Sequence, residues 1–278
     1  MLWKKILLVS FSLIGISNSF NLTPKPVPVH SFYRHFEVEN KKLPSRKKLV
    51  PIKVNQPFYS GKKNTSAIIF FTGGSSFIIS DIYQDFINQL VNHNLVVYTP
   101  FWKYSDHSNL IDQLRQDHTS VIVMGHSSGA TPAINFCKDN SLVRKLILLD
   151  GVNTGYFIGQ TKFNLKYIDH VLMINAGKSY QWNYDPWGPP FIPFFEFHPQ
   201  HLEIRNKKNI KTINLNEYGH SDILDIPYAN FMHQIRISVG HKNRSTLVNR
   251  QYHQLLARLI SSFRYNCFNY CSNNKMLF

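Results

Sequence analysis

The chain has 278 residues, of which 43% are hydrophobic, and it carries a formal net charge of +15. This length suits one large domain or two small ones, and the apolar content supports a sizeable core, which excludes a fully disordered protein. No nucleic-acid-binding motif accompanies the charge, so we expect no nucleic-acid partner, and the basic residues form a solvated face or contact an anionic membrane surface.

The first element is an N-terminal signal peptide over residues 1–19. Two lysines precede an apolar run over residues 6–16, and small residues follow at a plausible cleavage point. The run of eleven apolar residues is too short to span a bilayer of about 30 Å. We therefore expect a chain that enters the secretory route and whose mature form is soluble or peripheral to a membrane.

Residues 20–46 form a basic, proline-containing segment in which no acid occurs before Glu37. Acid-poor basic leaders are typical of transit peptides, and a Phe directly after a signal-cleavage site resembles the bipartite leaders of complex plastids. The alternative is plain secretion, with this segment as a proline-rich spacer. The sequence thus predicts a destination in a plastid or outside the cell.

Residues 47–265 alternate short apolar runs with amphipathic ones, which predicts β-α units around a sheet. The fold class is therefore α/β, with a mostly parallel sheet and helices on both faces, and a tail follows over residues 266–278. Cys267 and Cys271 in this tail can pair if the compartment is oxidising. Predicted strands are 49–54, 66–71, 94–100, 120–125, 145–150, 170–175 and 210–215, and predicted helices are 81–93, 108–117, 132–140 and 248–263.

The segment SVIVMGHSSGA, residues 120–130, contains a G-x-S-x-G motif between a predicted strand and a predicted helix. This context is typical of a nucleophile elbow, a tight turn that exposes a serine above the sheet edge. Gly125 and Gly129 relieve backbone crowding, and Ser127 is the candidate nucleophile; a helix-capping serine is the alternative. We expect the ring of His126 to shape the wall of the substrate pocket.

A serine nucleophile needs a base and an orienting carboxylate, in the chain order Ser, Asp or Glu, His. His220 follows the last predicted strand in a glycine-containing turn, where an α/β-hydrolase carries its base. Asp150 ends the strand KLILLD, and a charged group at the end of a buried strand needs a partner. Asp185 is the alternative acid, because it follows the next strand. Asp222 and Asp225 are expected to cap the helix after His220.

The oxyanion formed on ester attack needs two N–H donors. The backbone of Ser128 supplies one, and the loop TGGSS after the strand 66–71 supplies the other through Gly74 or Ser75. This loop lacks the G-x-x-x-x-G-K pattern of a phosphate loop. We also expect no metal site, because His198 and His201 lie in an aromatic, proline-rich setting that favours surface histidines.

The residues that carry these predictions resemble the chlorophyllase family of α/β-hydrolases over about residues 67–225. The similar segments are IIFFTGGSSF, MGHSSGA, LILLDGVNTG, VLMINAGKSYQWN and YGHSDILD. The resemblance implies Ser127 as nucleophile, Asp150 as acid and His220 as base. It further implies hydrolysis of the phytyl ester of chlorophyll to chlorophyllide and phytol, without a cofactor.

The sequence departs from the chlorophyllase pattern at Ser128, where an Arg is usual, and at Thr72, Ala130 and Gly151. These departures concern substrate choice more than reaction type. The position of the acid is shared with platelet-activating-factor acetylhydrolases, so a phospholipid or a general carboxylic ester is an alternative substrate. A hydrolase-fold protein that binds pigment or lipid without turnover is the alternative from another class.

An aromatic segment over residues 179–197, SYQWNYDPWGPPFIPFFEF, interrupts the pattern after the sixth strand. Trp182, Trp187 and Phe191 in this segment are candidate substrate-binding residues, because such a loop can cover an apolar ester or dip into a membrane interface. The alternative is that these aromatics pack against the sheet edge.

Overall fold

The computed structural model describes residues 28–40, 43–57, 65–74, 80–100, 110–138, 140–153, 162–180, 196–234 and 245–265. The signal peptide and the C-terminal tail lie outside these residues. So do several predicted site residues, namely Ser75, Trp182, Asp185, Trp187, Phe191, Cys267 and Cys271.

The described residues form an eight-stranded sheet in the order β1-β2-β4-β3-β5-β6-β8-β10. All neighbours from β4 to β10 pair in parallel, whereas β1 and β2 pair antiparallel with each other, and β2 pairs antiparallel with β4. A short parallel pair, β7 with β9, lies apart from the sheet. The strands are β1 Val29–Asn40, β2 Leu43–Pro57, β3 Ser66–Phe71, β4 Leu95–Thr99, β5 Ser120–His126, β6 Lys145–Leu149, β7 Phe163–Asn164, β8 His170–Ala176, β9 Leu202–Glu203 and β10 Ile210–Leu215.

The sheet begins earlier than the expected domain start at residue 47. Strand β1 lies wholly within the segment that composition suggested was a leader or spacer, and it pairs with β2 from Val29 opposite Pro57 onward. Phe36 in β1 is fully buried and Phe32 packs on the same core, whereas Tyr33 is exposed. Phe32 and Phe36 lie on the same side of the strand, because they are an even number of positions apart. Arg34 between them is exposed, so the basic composition hides the strand.

Helices cover both faces of the sheet, as the sequence predicted. On one face, β3 contributes Ala67, Ile69 and Phe71 to a core that includes α2 and α3; on the other, Ile68 and Phe70 pack in a core with α1 and α5. Successive residues of one strand thus bury against opposite layers. The helices are α1 Gln84–Asn92, α2 Leu110–Asp117, α3 Ala130–Lys138, α4 Ile226–Gln234 and α5 Thr246–Arg264.

Helix α3, which follows the elbow, tolerates a proline near its start. Residues 127–129 form a 3₁₀ turn, α3 begins at Ala130, and Pro132 falls in its first turn. No intrahelical bond is lost there, because the first N–H groups of a helix have no partner within it. In the part of the chain that the structure describes, no helix combines the length and apolarity needed to cross a membrane.

Candidate active site

Ser127 stands at a turn whose backbone geometry depends on two glycines. It follows strand β5 and has a φ of 55°, in the left-handed region that residues other than Gly rarely adopt. A Cβ on Gly129 would lie 2.2 Å from the carbonyl oxygen of Thr72, and one on Gly125 would lie 2.6 Å from the carbonyl oxygen of Gly129. The turn is therefore strained and closely packed, as expected of a nucleophile elbow.

The structure brings Ser127, His220 and Asp150 together in one hydrogen-bonded row. The Nε2 atom of His220 lies 2.8 Å from the Ser127 hydroxyl, and its Nδ1 atom contacts a carboxylate oxygen of Asp150. Because a carboxylate only accepts, Nδ1 carries the proton and Nε2 accepts from the serine hydroxyl. The row therefore has the proton arrangement that a serine nucleophile requires.

Asp150 is held on both of its carboxylate oxygens. One oxygen accepts from His220, and the other accepts from the backbone N–H of Ala176 at 3.0 Å. The residue is 5% exposed, and its own N–H donates to the carbonyl of Ile174 at 2.7 Å. Asp150 therefore has the fixed orientation that an orienting carboxylate needs, whereas the alternative acid, Asp185, lies outside the described residues.

The loop that carries His220 is fixed by two further acids, which were expected to cap helix α4. Asp222 accepts from the N–H of Gly219 at 2.8 Å, and its other carboxylate oxygen lies 3.3 Å from Nε2 of His233. Asp225 instead accepts from the first two N–H groups of α1, at 3.1 and 3.0 Å. The base loop is thereby tied to an element 140 residues away in sequence.

His126, the predicted wall of the substrate pocket, is buried beside the candidate base. Its ring stacks on that of His220, with centroids 4.9 Å apart and planes at 30°, and the residue is only 3% exposed. Its Nδ1 lies 2.9 Å from the hydroxyl of Tyr83, and its Nε2 lies 3.2 Å from the carbonyl of His220. Both ring nitrogens are thus occupied by protein partners. Burial and the neighbouring His220 lower the pKa of His126 to about 3, so the ring is neutral.

The loop after β3 approaches the elbow closely, as the oxyanion prediction requires. The close contact between Gly129 and the carbonyl oxygens of Phe71 and Thr72 brings the end of β3 against the turn. Gly74, a predicted donor, is exposed and has a φ of 59°, which suits glycine. The N–H of Gly73 donates to Tyr83 and is already engaged. Ser128, whose N–H is the other predicted donor, lies in the 3₁₀ turn directly after Ser127.

A buried carboxyl group that sequence reasoning missed lies near Asp150. Glu196 is 3% exposed, and neither of its carboxyl oxygens has a hydrogen-bond partner. Burial, with the negative charge of Asp150, raises the pKa of Glu196 to about 8. The backbone of Glu196 pairs with Val152, whose N–H donates to the carbonyl of Ser127. A neutral carboxylic acid therefore lies near Asp150 at neutral pH.

The described residues contain no group of three His, Cys, Asp or Glu side chains that could hold a metal ion. His201 was expected at the surface, but it is 6% exposed, and its Nδ1 accepts from the N–H of His198 at 3.1 Å. This bond closes a 3₁₀ turn, so the spacing of the two histidines serves local structure.

No family model matches this chain, and no curated protein sequence matches it significantly. Among solved structures, an esterase of Pyrobaculum calidifontis aligns over 86% of this chain and 87% of its own, at 13% identity and a TM-score of 0.53. Two other solved structures match in part. An esterase of Pseudomonas putida ECU1011 aligns over 55% of this chain and 65% of its own, at 12% identity and a TM-score of 0.39. A fungal esterase of Rhizomucor miehei aligns over 55% of this chain and 67% of its own, at 12% identity and a TM-score of 0.41. The chain thus covers about two thirds of the length of these two proteins.

The sheet order and the Pyrobaculum match show that this chain has the α/β-hydrolase fold, as the sequence predicted. The narrower resemblance to chlorophyllases finds no support among these comparisons and stays a prediction.

Proposed function

We propose that this chain is a serine hydrolase that cleaves carboxylic esters. The observation that carries the proposal is the hydrogen-bonded row of Ser127, His220 and Asp150, with Ser127 in a strained turn at the end of β5. A serine that only caps a helix has no need of a base at 2.8 Å, nor of a buried carboxylate behind that base. The geometry instead matches the requirements of an activated nucleophile.

In the proposed reaction, the Oγ of Ser127 attacks the ester carbonyl carbon while Nε2 of His220 takes the hydroxyl proton. The backbone N–H groups of Ser128 and of the Gly74 loop stabilise the oxyanion. The C–O bond to the alcohol then breaks, and His220 returns its proton to the departing oxygen. Water, deprotonated by the same histidine, cleaves the acyl-enzyme to the acid and regenerates Ser127.

The substrate in this proposal is an ester with a large apolar group, with the phytyl ester of chlorophyll as the first candidate. The support is the sequence resemblance to chlorophyllases and the aromatic composition of residues 179–197, which include Trp182, Trp187 and Phe191. Such a segment suits an apolar chain or a flat macrocycle, and also peripheral contact with a membrane. The proposed route begins at a signal peptide and ends in a plastid or outside the cell.

Covalent labelling with a fluorophosphonate tests the reaction type. We expect the full chain to be labelled at one serine, and Ser127→Ala to abolish the label. Ser262→Ala, which removes a hydroxyl from helix α5 far along the chain from the elbow, is the matched control and should be labelled like the parent. A label that persists in Ser127→Ala would refute the proposed nucleophile.

Product analysis tests the substrate. The chain is incubated separately with chlorophyll a, with a phospholipid and with short p-nitrophenyl esters, and the released alcohols and acids are identified. Phytol release supports the chlorophyllase-like activity, whereas release from the phospholipid or from the short esters alone supports the alternatives. A chain that binds chlorophyll but resists labelling and releases no product would be a binding protein.

A further inference from the structure

Tyr83 is a fully buried tyrosine whose hydroxyl lies between two loops of the candidate active site. It ends the 3₁₀ turn Ser80–Tyr83 before helix α1, and its ring packs edge-on against Phe70 of β3, with centroids 5.3 Å apart. Its hydroxyl oxygen accepts from the N–H of Gly73 at 3.0 Å and lies 2.9 Å from Nδ1 of His126. One hydroxyl therefore contacts both the loop of the predicted oxyanion donors and the elbow.

The directions of the hydrogen bonds through this hydroxyl follow from the groups that join it. The carbonyl of His220 can only accept, so Nε2 of His126 carries a proton and donates to it over 3.2 Å. Because the buried ring of His126 is neutral, its Nδ1 is an acceptor, and the hydroxyl of Tyr83 must donate to it. The chain of donors runs from Gly73 through Tyr83 and His126 to the backbone of His220, and each of its groups has a defined role.

The same turn is joined to the base loop by a second, independent set of contacts. Asp225, five residues beyond His220, donates its N–H to the carbonyl of Ile82 at 2.8 Å. Its carboxylate accepts from the N–H groups of Gln84 and Asp85, which flank Tyr83 on the other side. The turn that carries Tyr83 is therefore fixed relative to the loop that carries His220.

We propose that Tyr83 and His126 are positioning residues. They fix the loop that carries Gly74 and the loop that carries His220 relative to each other around Ser127. The inference rests on the proposed function, since it assigns these residues a role in the reaction at Ser127. The Tyr83 hydroxyl fixes the backbone at Gly73, directly before Gly74. The ring of His126 stacks on the ring of His220 and fixes its orientation. A neutral His126 also avoids repelling the imidazolium that His220 forms when it takes the serine proton.

Tyr83→Phe is the central test, because it removes only the hydroxyl and keeps the ring. We expect kcat for ester hydrolysis to fall by roughly tenfold to a hundredfold, since small displacements of catalytic groups have effects of this order, while KM changes little. Tyr98→Phe is the matched control, because Tyr98 is also buried and its hydroxyl also bonds to a histidine, His118. His118 precedes strand β5 and Ser127 follows it, so the two lie at opposite ends of that strand. Tyr98→Phe should lower thermal stability and leave kcat within about threefold of the parent.

A double-mutant cycle then tests whether the two residues act as one unit. If they do, Tyr83→Phe combined with His126→Gln lowers kcat no further than the more damaging single variant. Losses that multiply, or a Tyr83→Phe variant with unchanged kcat, would overturn the proposal. Thermal unfolding of each variant separates lost folding from lost positioning.

The protonation of His126 is measured independently of activity by ¹⁵N NMR of the histidine rings, with the signal assigned through His126→Gln. We expect the neutral Nε2–H form at neutral pH in the parent chain. A His126 ring that carries its proton on Nδ1, or one that is charged, would overturn the proposed chain of hydrogen bonds even in an active enzyme. If the protein is inactive on every ester, the proposed function is refuted. The NMR signal of His126 then tests only the directions of the hydrogen bonds between Tyr83, His126 and His220.

Discussion

Ser127 and Asp150 occupy the same register position at the ends of neighbouring strands, and both have a left-handed backbone. His126 pairs with Leu149 at the ends of β5 and β6, and Ser127 and Asp150 directly follow this pair. Their φ angles are 55° and 43°, in a region that most side chains avoid. Two strained residues side by side at one sheet edge indicate that the site is maintained at the expense of stability.

The first prediction concerns this strain at Ser127. Replacement by Gly removes a left-handed penalty of about 1–2 kcal/mol, partly offset by a loss of about 0.5–1 kcal/mol from the freer unfolded chain. Ser127→Gly should therefore unfold at a higher denaturant concentration than Ser127→Ala, although both lack the nucleophile. Urea unfolding of the two variants measures the difference, and a less stable Ser127→Gly would show that the turn is not strained.

The second prediction concerns the orienting acid. Asp150→Asn should retain the fold but lower kcat by about 10⁴-fold, because an amide in that place favours the wrong tautomer of the base. Asp169→Asn is the control, since Asp169 is exposed just before β8, and it should leave kcat close to that of the parent. Steady-state ester hydrolysis measures both. A larger loss in Asp185→Asn than in Asp150→Asn would transfer the role to Asp185.

The third prediction concerns the contact between the elbow and β3. A Cβ on Gly129 would lie 2.2 and 2.4 Å from two carbonyl oxygens, so Gly129→Ala must displace the backbone that leads to Gly74. We expect a loss of roughly 1–3 kcal/mol in the free energy of unfolding, with reduced labelling of Ser127. Gly151→Ala is the comparison and should cost less, because the nearest atom to its added methyl is the Cβ of Ala130 at 2.9 Å, a smaller overlap. Equal losses in the two variants would contradict the reasoning.

The strands of the main sheet from residue 66 onward, with helices α1, α2, α3 and α5, could be predicted from the sequence, because each apolar run fixes a buried element. The short pair β7 and β9 has no such run. Ser127, Asp150 and His220, which the structure brings together, could be proposed as a candidate site from the sequence, since each lies shortly after such a run. Strand β1 could not, because Phe32 and Phe36 are separated by three exposed residues and lie in a basic segment. An edge strand that buries one face leaves only this weak signal.

The contacts that join loops across the sheet could not be predicted, because they depend on which turns meet in three dimensions. Nothing in the local sequence of Tyr83 indicates that its hydroxyl meets His126, 43 residues away. The same is true of Asp225, which resembles a cap for the next helix but caps α1 instead. The contacts of the His126 ring with Tyr83 and His220 could not be predicted either, since position within the elbow does not fix where a side chain points.

The last prediction concerns Glu196, whose pKa is raised to about 8 by burial and by Asp150. Between its ordinary value of 4.5 and about 8, the native chain holds a proton that the unfolded chain releases, so this group makes the free energy of unfolding decrease as pH rises. Above about pH 8 the contribution is constant, because both states are ionised. Glu196→Gln keeps a neutral side chain of similar shape at every pH, so its stability relative to the parent should rise from pH 5 to pH 8 and then level.

Urea unfolding of the parent and Glu196→Gln at intervals between pH 5 and pH 9 measures this difference, in which titrations common to both chains cancel. Glu203→Gln, which makes the same replacement at an exposed position on β9, is the control variant. A constant difference between Glu196→Gln and the parent would mean that Glu196 is ionised in the native state throughout. Its charge would then lie unpartnered beside Asp150, which is the arrangement that burial disfavours most strongly.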